Sequence, residues 1–207
     1  MTPTVRDTSQ LLPEADLVAL DAQAVLTSVE VVARATTADM SRPTPCADWS
    51  LDGLLAHMTA QHHGFAAAST GDDDPASWTA RPLGHDLVGA YRSSAHRVLA
   101  AFADDGVMNR MFPLPEVSAR PFSARRAIGF HLLDYVVHSW DVAKTLGLTV
   151  EFESDVLHAA LIVAQAVPQG EARRAPGAAF APAIAWSGGA ALDRIVAVLG
   201  RSPNWPH

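Results

Sequence analysis

The stretch that most constrains this chain runs from Phe130 to Gly147 and reads FHLLDYVVHSWDVAKTLG. It is apolar almost throughout, but four short polar side chains interrupt it at intervals of three, four and three residues: His131, Asp134, His138 and Asp141. On a helix with 3.6 residues per turn, these intervals place all four side chains on one stripe. The stretch therefore predicts an amphipathic helix with one face of histidine and aspartate.

The residues alone leave two interpretations of this stripe open. It is either the solvent-exposed face of an amphipathic helix or a polar site, such as a metal site. Exposed helix faces favour long side chains, but none occurs on this stripe before Lys144. Asp134 and His138 lie four residues apart, so their side chains project from adjacent turns, as two ligands of one metal ion must.

The composition predicts a folded protein that does not bind nucleic acid. Of its 207 residues, 49% are hydrophobic, which is enough for a core. The net charge of -7 argues against a surface for nucleic acid or an anionic membrane, which needs clustered Lys and Arg. A single cysteine, no signal-peptide pattern and no apolar run long enough for a membrane span predict a cytoplasmic protein.

Helical periodicity recurs along the chain and predicts an all-α fold. Residues 1–12 are polar and are expected to be flexible, whereas 13–207 are expected to form a single domain. No alternating pattern is long enough for a sheet, so we expect a four-helix bundle with additional short C-terminal helices. The predicted elements are helices over 13–38, 51–68, 83–104, 124–147 (with Ser123 as cap), 151–167 and 190–199, and a strand-like piece over 108–112.

His57 lies near the middle of the second predicted helix. A single histidine on an apolar face is more often a core residue than a metal ligand. Combined with Asp134 and His138, however, it completes a set of two histidines and one carboxylate, which leaves positions open on zinc or another divalent metal. Motifs for a di-iron site, a serine nucleophile, a phosphate loop or a dinucleotide site are absent from the sequence.

Three stretches resemble actinobacterial proteins of the DinB/YfiT-like superfamily: PTPCADWSLDGLLAHM (43–58), LLDYVVHSWDVAKTLG (132–147) and ALDRIVAVLGRSPNW (191–205). The resemblance is to the branch related to the N-terminal domain of mycothiol-dependent maleylpyruvate isomerase. It implies a DinB-like four-helix bundle that holds a divalent metal, most often zinc, with nickel as another choice. The implied ligands are His57, Asp134 and His138, where that branch usually has glutamate at the position of Asp134.

The same resemblance implies a metal-dependent thiol transferase or isomerase. A low-molecular-weight thiol such as mycothiol would react with a small electrophilic substrate. We expect His131 or Asp141 to orient a metal-binding histidine, and Arg125 or Arg126 to bind a substrate carboxylate. The alternative is a non-catalytic bundle that serves as a scaffold binding a metal or a small ligand. The resemblance also leaves room for a homodimer formed through helix faces.

Overall fold

The computed structural model of the chain describes residues 14–46, 49–175 and 178–206. A short antiparallel sheet pairs β1 (Met111–Phe112) with β2 (Phe122–Ser123). Helices dominate the rest, which confirms the predicted all-α class. They are α1 (Glu14–Val32), α2 (Leu51–Ala68), α3 (Leu87–Phe102), α4 (Ala124–Leu146), α5 (Ser154–Ala166) and α6 (Ala191–Val198).

The first four helices form the predicted bundle. Helix α1 lies against α3 and α4, and α2 lies against the same two helices from the other side of the core. Helix α5 packs on α1 and α4, and α6 packs on α5. Leu54 of α2 and Leu132 of α4 are fully buried. Because burial of such a side chain stabilises the fold by about 1.5–3 kcal/mol, the core holds α2 and α4 in a fixed relative position.

Helix α4 carries the polar stripe, and it ends as the sequence predicts. Gly147 has a φ of 71°, in the left-handed region that glycine adopts most readily. The next residue, Leu148, donates its N–H to the Ala143 carbonyl at 2.8 Å, which satisfies an end group of the helix. Of the stripe, His131 and Asp141 are fully buried and His138 is 5% exposed. The interpretation of the stripe as a solvent-exposed face is therefore wrong.

The predicted end of α1 at residue 38 is wrong, because a polar turn interrupts the helix. The helix stops at Val32, and a separate 3-10 turn spans Thr37–Asp39. The Thr36 backbone N–H and Oγ1 both donate to Asp39 Oδ2, at 3.0 and 2.7 Å. Such local bonds offer the backbone an alternative to continued helix.

The start of α3 is also later than the predicted residue 83. Asp86 caps the helix by accepting the Gly89 N–H at 2.9 Å, so the helix begins at Leu87. Ser123 occupies the predicted cap position of α4 but makes no capping hydrogen bond through its side chain. It is also the last residue of β2, a strand that the sequence pattern did not indicate.

The predicted flexible segment 1–12 and the predicted helix start at Pro13 lie outside the described residues. Helix α5 begins at Ser154 and not at 151, and α6 differs from its predicted range by one residue at each end. Within the described ranges, no helix combines the length and the apolarity that crossing a bilayer requires.

Candidate metal centre

Three side chains from two helices converge between α2 and α4. His57 of α2 and Asp134 and His138 of α4 each offer one ligand atom, and these atoms all lie within 4.8 Å of one another. His138 Nε2 lies 3.5 Å from Asp134 Oδ1. In a tetrahedral zinc site with bonds of about 2.0–2.2 Å, two ligand atoms lie about 3.3–3.6 Å apart. The spacing of this pair therefore suits one shared ion.

Packing and one hydrogen bond fix α2 against α4 beside these residues. Leu54 and Leu55 are fully buried and Met58 is 1% exposed, so one side of α2 faces the core. The Tyr135 hydroxyl donates to the Met58 carbonyl at 2.5 Å. This bond ties α4 to α2 at the residues that follow Asp134 and His57 in sequence, which limits how far the candidate ligands can separate.

The second ring nitrogen of His138 has a defined partner. Its Nδ1 lies 2.9 Å from Asp141 Oδ2. A carboxylate at this place favours the tautomer with the proton on Nδ1, so that Nε2 presents a lone pair on the side of Asp134. Asp141 is thus placed for the orienting role that the sequence suggests for it.

Asp141 is itself held by an arginine from beyond α6. Arg201 Nε donates to Oδ1 at 2.9 Å and to Oδ2 at 3.1 Å, and both side chains are buried. Burial alone would raise the pKa of Asp141, but the Arg201 charge and the hydrogen bonds from His138 and Arg201 outweigh it and hold that pKa below its ordinary value. Asp141 therefore stays ionised at neutral pH and keeps its hold on the imidazole.

His57 is neutral at physiological pH. Burial lowers its pKa to about 4, with smaller effects of the same sign from His138 and Arg201 and an opposing effect from Asp134. Trp49 covers the histidines, since its ring centroid lies 4.4 Å from that of His57 and 6.2 Å from that of His138. The neutral imidazole is the form that binds metal.

The residues present fit a divalent ion such as zinc. Two imidazole nitrogens and one carboxylate oxygen make three ligands, which leaves a fourth tetrahedral position for water or substrate. The Asp134 side chain is 24% exposed, so the group can be reached from solvent. A buried partner behind His138 is the usual support of such a ligand.

The family described as the mycothiol maleylpyruvate isomerase N-terminal domain matches residues 22–143, which include all three candidate ligands. The chain belongs to this family. The resemblance inferred from the three sequence stretches is thereby confirmed.

Family membership agrees with two further comparisons. Two uncharacterised proteins of Mycobacterium tuberculosis, Rv0738 of strain ATCC 25618 / H37Rv and MT0763 of strain CDC 1551 / Oshkosh, are each 30% identical over 141 residues. These alignments cover 67% of this chain and 71% of each relative. The two relatives extend the likeness beyond a single match, but their names state no activity.

Solved structures give the fold. The crystal structure of the mycothiol-dependent maleylpyruvate isomerase superposes with a TM-score of 0.64 at 15% identity, covering 93% of this chain and 91% of that chain. The structure of a histidine-to-alanine mutant of that isomerase superposes with a TM-score of 0.57 at 14% identity, covering 74% and 68%. The DinB-like helical fold that the sequence predicts is confirmed.

His131 takes a different place in this family member from the one that the stripe suggests. Its Nδ1 lies 2.7 Å from Asp21 Oδ1 of α1, and both side chains are fully buried. Its ring packs against those of Tyr135 and Phe65, at centroid distances of 4.3 and 4.8 Å. This position does not fit the expected role of orienting a metal-binding histidine, because the polar atom of His131 is bonded to another helix.

The predicted substrate arginines lie at the start of α4, far from the candidate ligands. Arg126 stacks over the ring of Phe122, 4.9 Å from its centroid, and Arg125 precedes it in the first turn. Eight or nine residues of helix separate them from Asp134, which is about 12–14 Å along the axis. The arginine beside the centre is instead Arg201, which sequence reasoning missed although it directly follows the helix-ending Gly200.

The structure also buries His62 of α2 fully, which the sequence analysis did not predict. Its Nδ1 lies 2.8 Å from Ser94 Oγ, and its ring stacks on Tyr135 at 4.3 Å. Burial holds its pKa well below the ordinary value. The helical spacing from Met58 and Phe65, both core residues, was the signal that could have shown this burial.

Proposed function

We propose that this family member is a metal-dependent enzyme that joins a low-molecular-weight thiol, such as mycothiol, to a small electrophilic substrate. The observation that carries the proposal is the convergence of His57, Asp134 and His138 between α2 and α4, with Asp141 behind His138. The name of the matching structure supports the thiol, since that protein is described as a mycothiol-dependent maleylpyruvate isomerase.

Each residue has a role in this proposal. His57, His138 and Asp134 would hold a zinc or nickel ion, and such an ion, when bound, keeps a coordinated thiol deprotonated at neutral pH. Asp141 and Arg201 keep the His138 ring in one orientation. Trp49 shields one side of both imidazoles from water.

The chemistry of the thiol follows from its ionisation. The S–H proton is released to solvent, and the sulfur electron pair forms a bond to an electrophilic carbon of a double bond conjugated with a carbonyl group. The π electron pair of that double bond moves to the carbonyl oxygen to give an enolate, which a proton from solvent neutralises in a transferase and which expels the thiolate again in an isomerase. In a transferase the product keeps the new sulfur–carbon bond. In an isomerase that bond breaks again after the substrate has changed geometry, and the thiol is released unchanged.

The test uses cobalt as a coloured substitute for zinc. Addition of mycothiol to the cobalt-loaded, tag-free protein at neutral pH is expected to produce a thiolate-to-cobalt charge-transfer band. Asp134→Ala should weaken this band because it removes a ligand, whereas Asp134→Glu should preserve or strengthen it. Asp155→Ala, at an exposed aspartate of α5, is the matched control and should leave the band unchanged.

Two outcomes separate the enzyme from the scaffold. A metal content of about one zinc or nickel per chain, as expected for a single three-ligand site, together with the thiol-dependent band, supports the enzyme. Cobalt binding without any spectral response to mycothiol or another thiol overturns it. The centre would then be structural, and the protein would be the non-catalytic binding scaffold that the sequence left as its alternative.

A further inference from the structure

A cavity lies on a different side of α2 from the candidate metal centre. It has a volume of about 990 Å³ and runs between α2, α3 and the crossing segment that connects them, and we call it the α2–α3 groove. Pockets for small molecules have volumes of about 300–1,000 Å³. His57, Asp134 and His138 do not line it. The groove is therefore large enough for a small molecule and separate from the candidate ligands.

Short side chains create the space in this groove. Where α2 and α3 face each other, alanines line much of the wall, among them Ala60 and Ala67 of α2 and Ala90 of α3. Trp78, in the crossing segment, lies directly on α2, where a Cβ on Gly64 would come within 2.3 Å of its ring. The crossing segment is thus anchored to the helix by the indole, and the alanines leave the groove beside it open.

The charges around the groove are mainly positive. Arg81 of the crossing segment and Arg97 of α3 line it together with the neutral His63 of α2, and Asp72 is the one acidic residue of the lining. In the part of the chain that the structure describes, neither arginine forms an ion pair. Both arginines are exposed, so their guanidinium groups can meet a ligand from solvent, and two such charges on one groove favour an anionic occupant.

The surroundings of His63 support this charge assignment. Burial lowers its pKa, and the charges that lower it further are those of Arg97 and Arg81. The groove therefore combines two arginine side chains with an apolar alanine surface.

We propose that the α2–α3 groove is a second ligand site, which binds a small organic anion with an apolar body. Arg81 and Arg97 hold its carboxylate through charge-assisted hydrogen bonds, in the manner that suits a guanidinium. The apolar body lies on the alanine wall, where the short side chains leave room for it. Because the groove does not include the candidate metal ligands, binding is the same in the metal-free and the zinc-loaded protein.

The test compares benzoate with its neutral analogue benzamide, followed by amide chemical shifts of the full chain. Benzoate is expected to bind saturably, with shifts concentrated at residues 56–70, 76–83 and 90–101. Benzamide should bind at least tenfold more weakly, because it lacks the charge. Arg97→Gln and Arg81→Gln should each weaken benzoate binding at least fivefold, whereas Arg92→Gln, an exposed position of α3 outside the lining, should not.

Several results would overturn the proposal. These are the absence of saturable shifts, equal binding of benzamide, equal weakening by Arg92→Gln, or shifts centred on residues 134–141. The zinc-loaded protein is titrated in parallel, and a tenfold difference in benzoate affinity between the two forms would contradict a separate site. Because no step needs bound metal or thiol, the result does not depend on the function proposed for the metal centre.

Discussion

Helices α2 and α4 together form two histidine pairs, each with one histidine from either helix. The two pairs differ in burial and in the groups that surround them. The outer pair is His57 with His138, and the inner pair is His62 with His131. The ring centroids lie 5.4 Å apart in the outer pair and 5.8 Å apart in the inner pair. The same two helices thus bring the same residue type to nearly the same separation in two different surroundings.

The surroundings decide what each pair can do. The outer pair shares a third group, Asp134, whose side chain is partly exposed. Both histidines of the inner pair are fully buried among aromatic rings, each Nδ1 is bonded to another side chain, and neither Nε2 has a hydrogen-bond partner among the described residues. The comparison shows that a third ligand and access from solvent, rather than residue type or spacing, distinguish a candidate site from a polar core.

The largest expected effect concerns the inner pair. His131→Leu should destabilise the metal-free protein by about 3–5 kcal/mol, because it leaves Asp21 buried without its partner. Urea unfolding gives this value. The double variant Asp21→Leu/His131→Leu should recover much of the loss, since no unpaired buried group remains. A loss well under about 1 kcal/mol in the single variant, as for an exposed pair, would contradict a structural role for the inner pair.

A second prediction concerns the outer pair. At a free zinc concentration of one hundred times the dissociation constant, binding to the folded state alone should stabilise the protein by about 2.7 kcal/mol. His138→Ala should lose this increment but keep the folded metal-free state. Thermal unfolding with and without zinc tests it, and His96→Ala, at an exposed position on α3, should respond like the unmodified chain. A full zinc response in His138→Ala would place metal binding elsewhere.

A third prediction concerns the support of the outer pair. Asp141→Asn should weaken zinc binding about 10–100-fold, because the His138 ring loses the carboxylate that fixes its orientation. This corresponds to about 1.4–2.7 kcal/mol. Competition with a zinc-binding dye measures the affinity directly, and Asp105→Asn, at an exposed aspartate, controls for the loss of one charge. Equal zinc affinity in the two variants would show that Asp141 does not support metal binding.

The smallest expected effect is the pH dependence that His62 gives to the free energy of unfolding. The pKa of His62 is lower in the folded protein than the ordinary 6.5, so the unfolded chain takes up a proton first as pH falls. The contribution of His62 to the free energy of unfolding is therefore fully present above about pH 6.5. Below that pH it declines by up to about 1.4 kcal/mol per pH unit. In metal-free protein, His62→Gln should flatten the stability curve below pH 6.5 by this amount. Parallel curves for the two proteins would show that His62 does not titrate as described.

Local patterns in the sequence predict the helices and the candidate ligands better than the contacts that surround them. The four-residue spacing of Asp134 and His138 is visible directly, His57 completes a plausible ligand set with them, and the resemblance to the family implies the same three residues. The partners of the other polar residues are not local: Asp21 lies 110 residues from His131, and Arg201 lies 60 residues from Asp141. Pairs at such separations leave no periodic trace, since only the packing of the helices decides which side chains meet.

The order of these residues along the chain also sets the order in which a ribosome makes them. Synthesis proceeds at about 5–20 residues per second, so the 60 residues between Asp141 and Arg201 take about 3–12 seconds. During that interval the nascent chain already contains His57, Asp134, His138 and Asp141. Each newly made copy therefore passes through a stage in which every candidate ligand exists, but Arg201, whose guanidinium group holds Asp141, has yet to be translated.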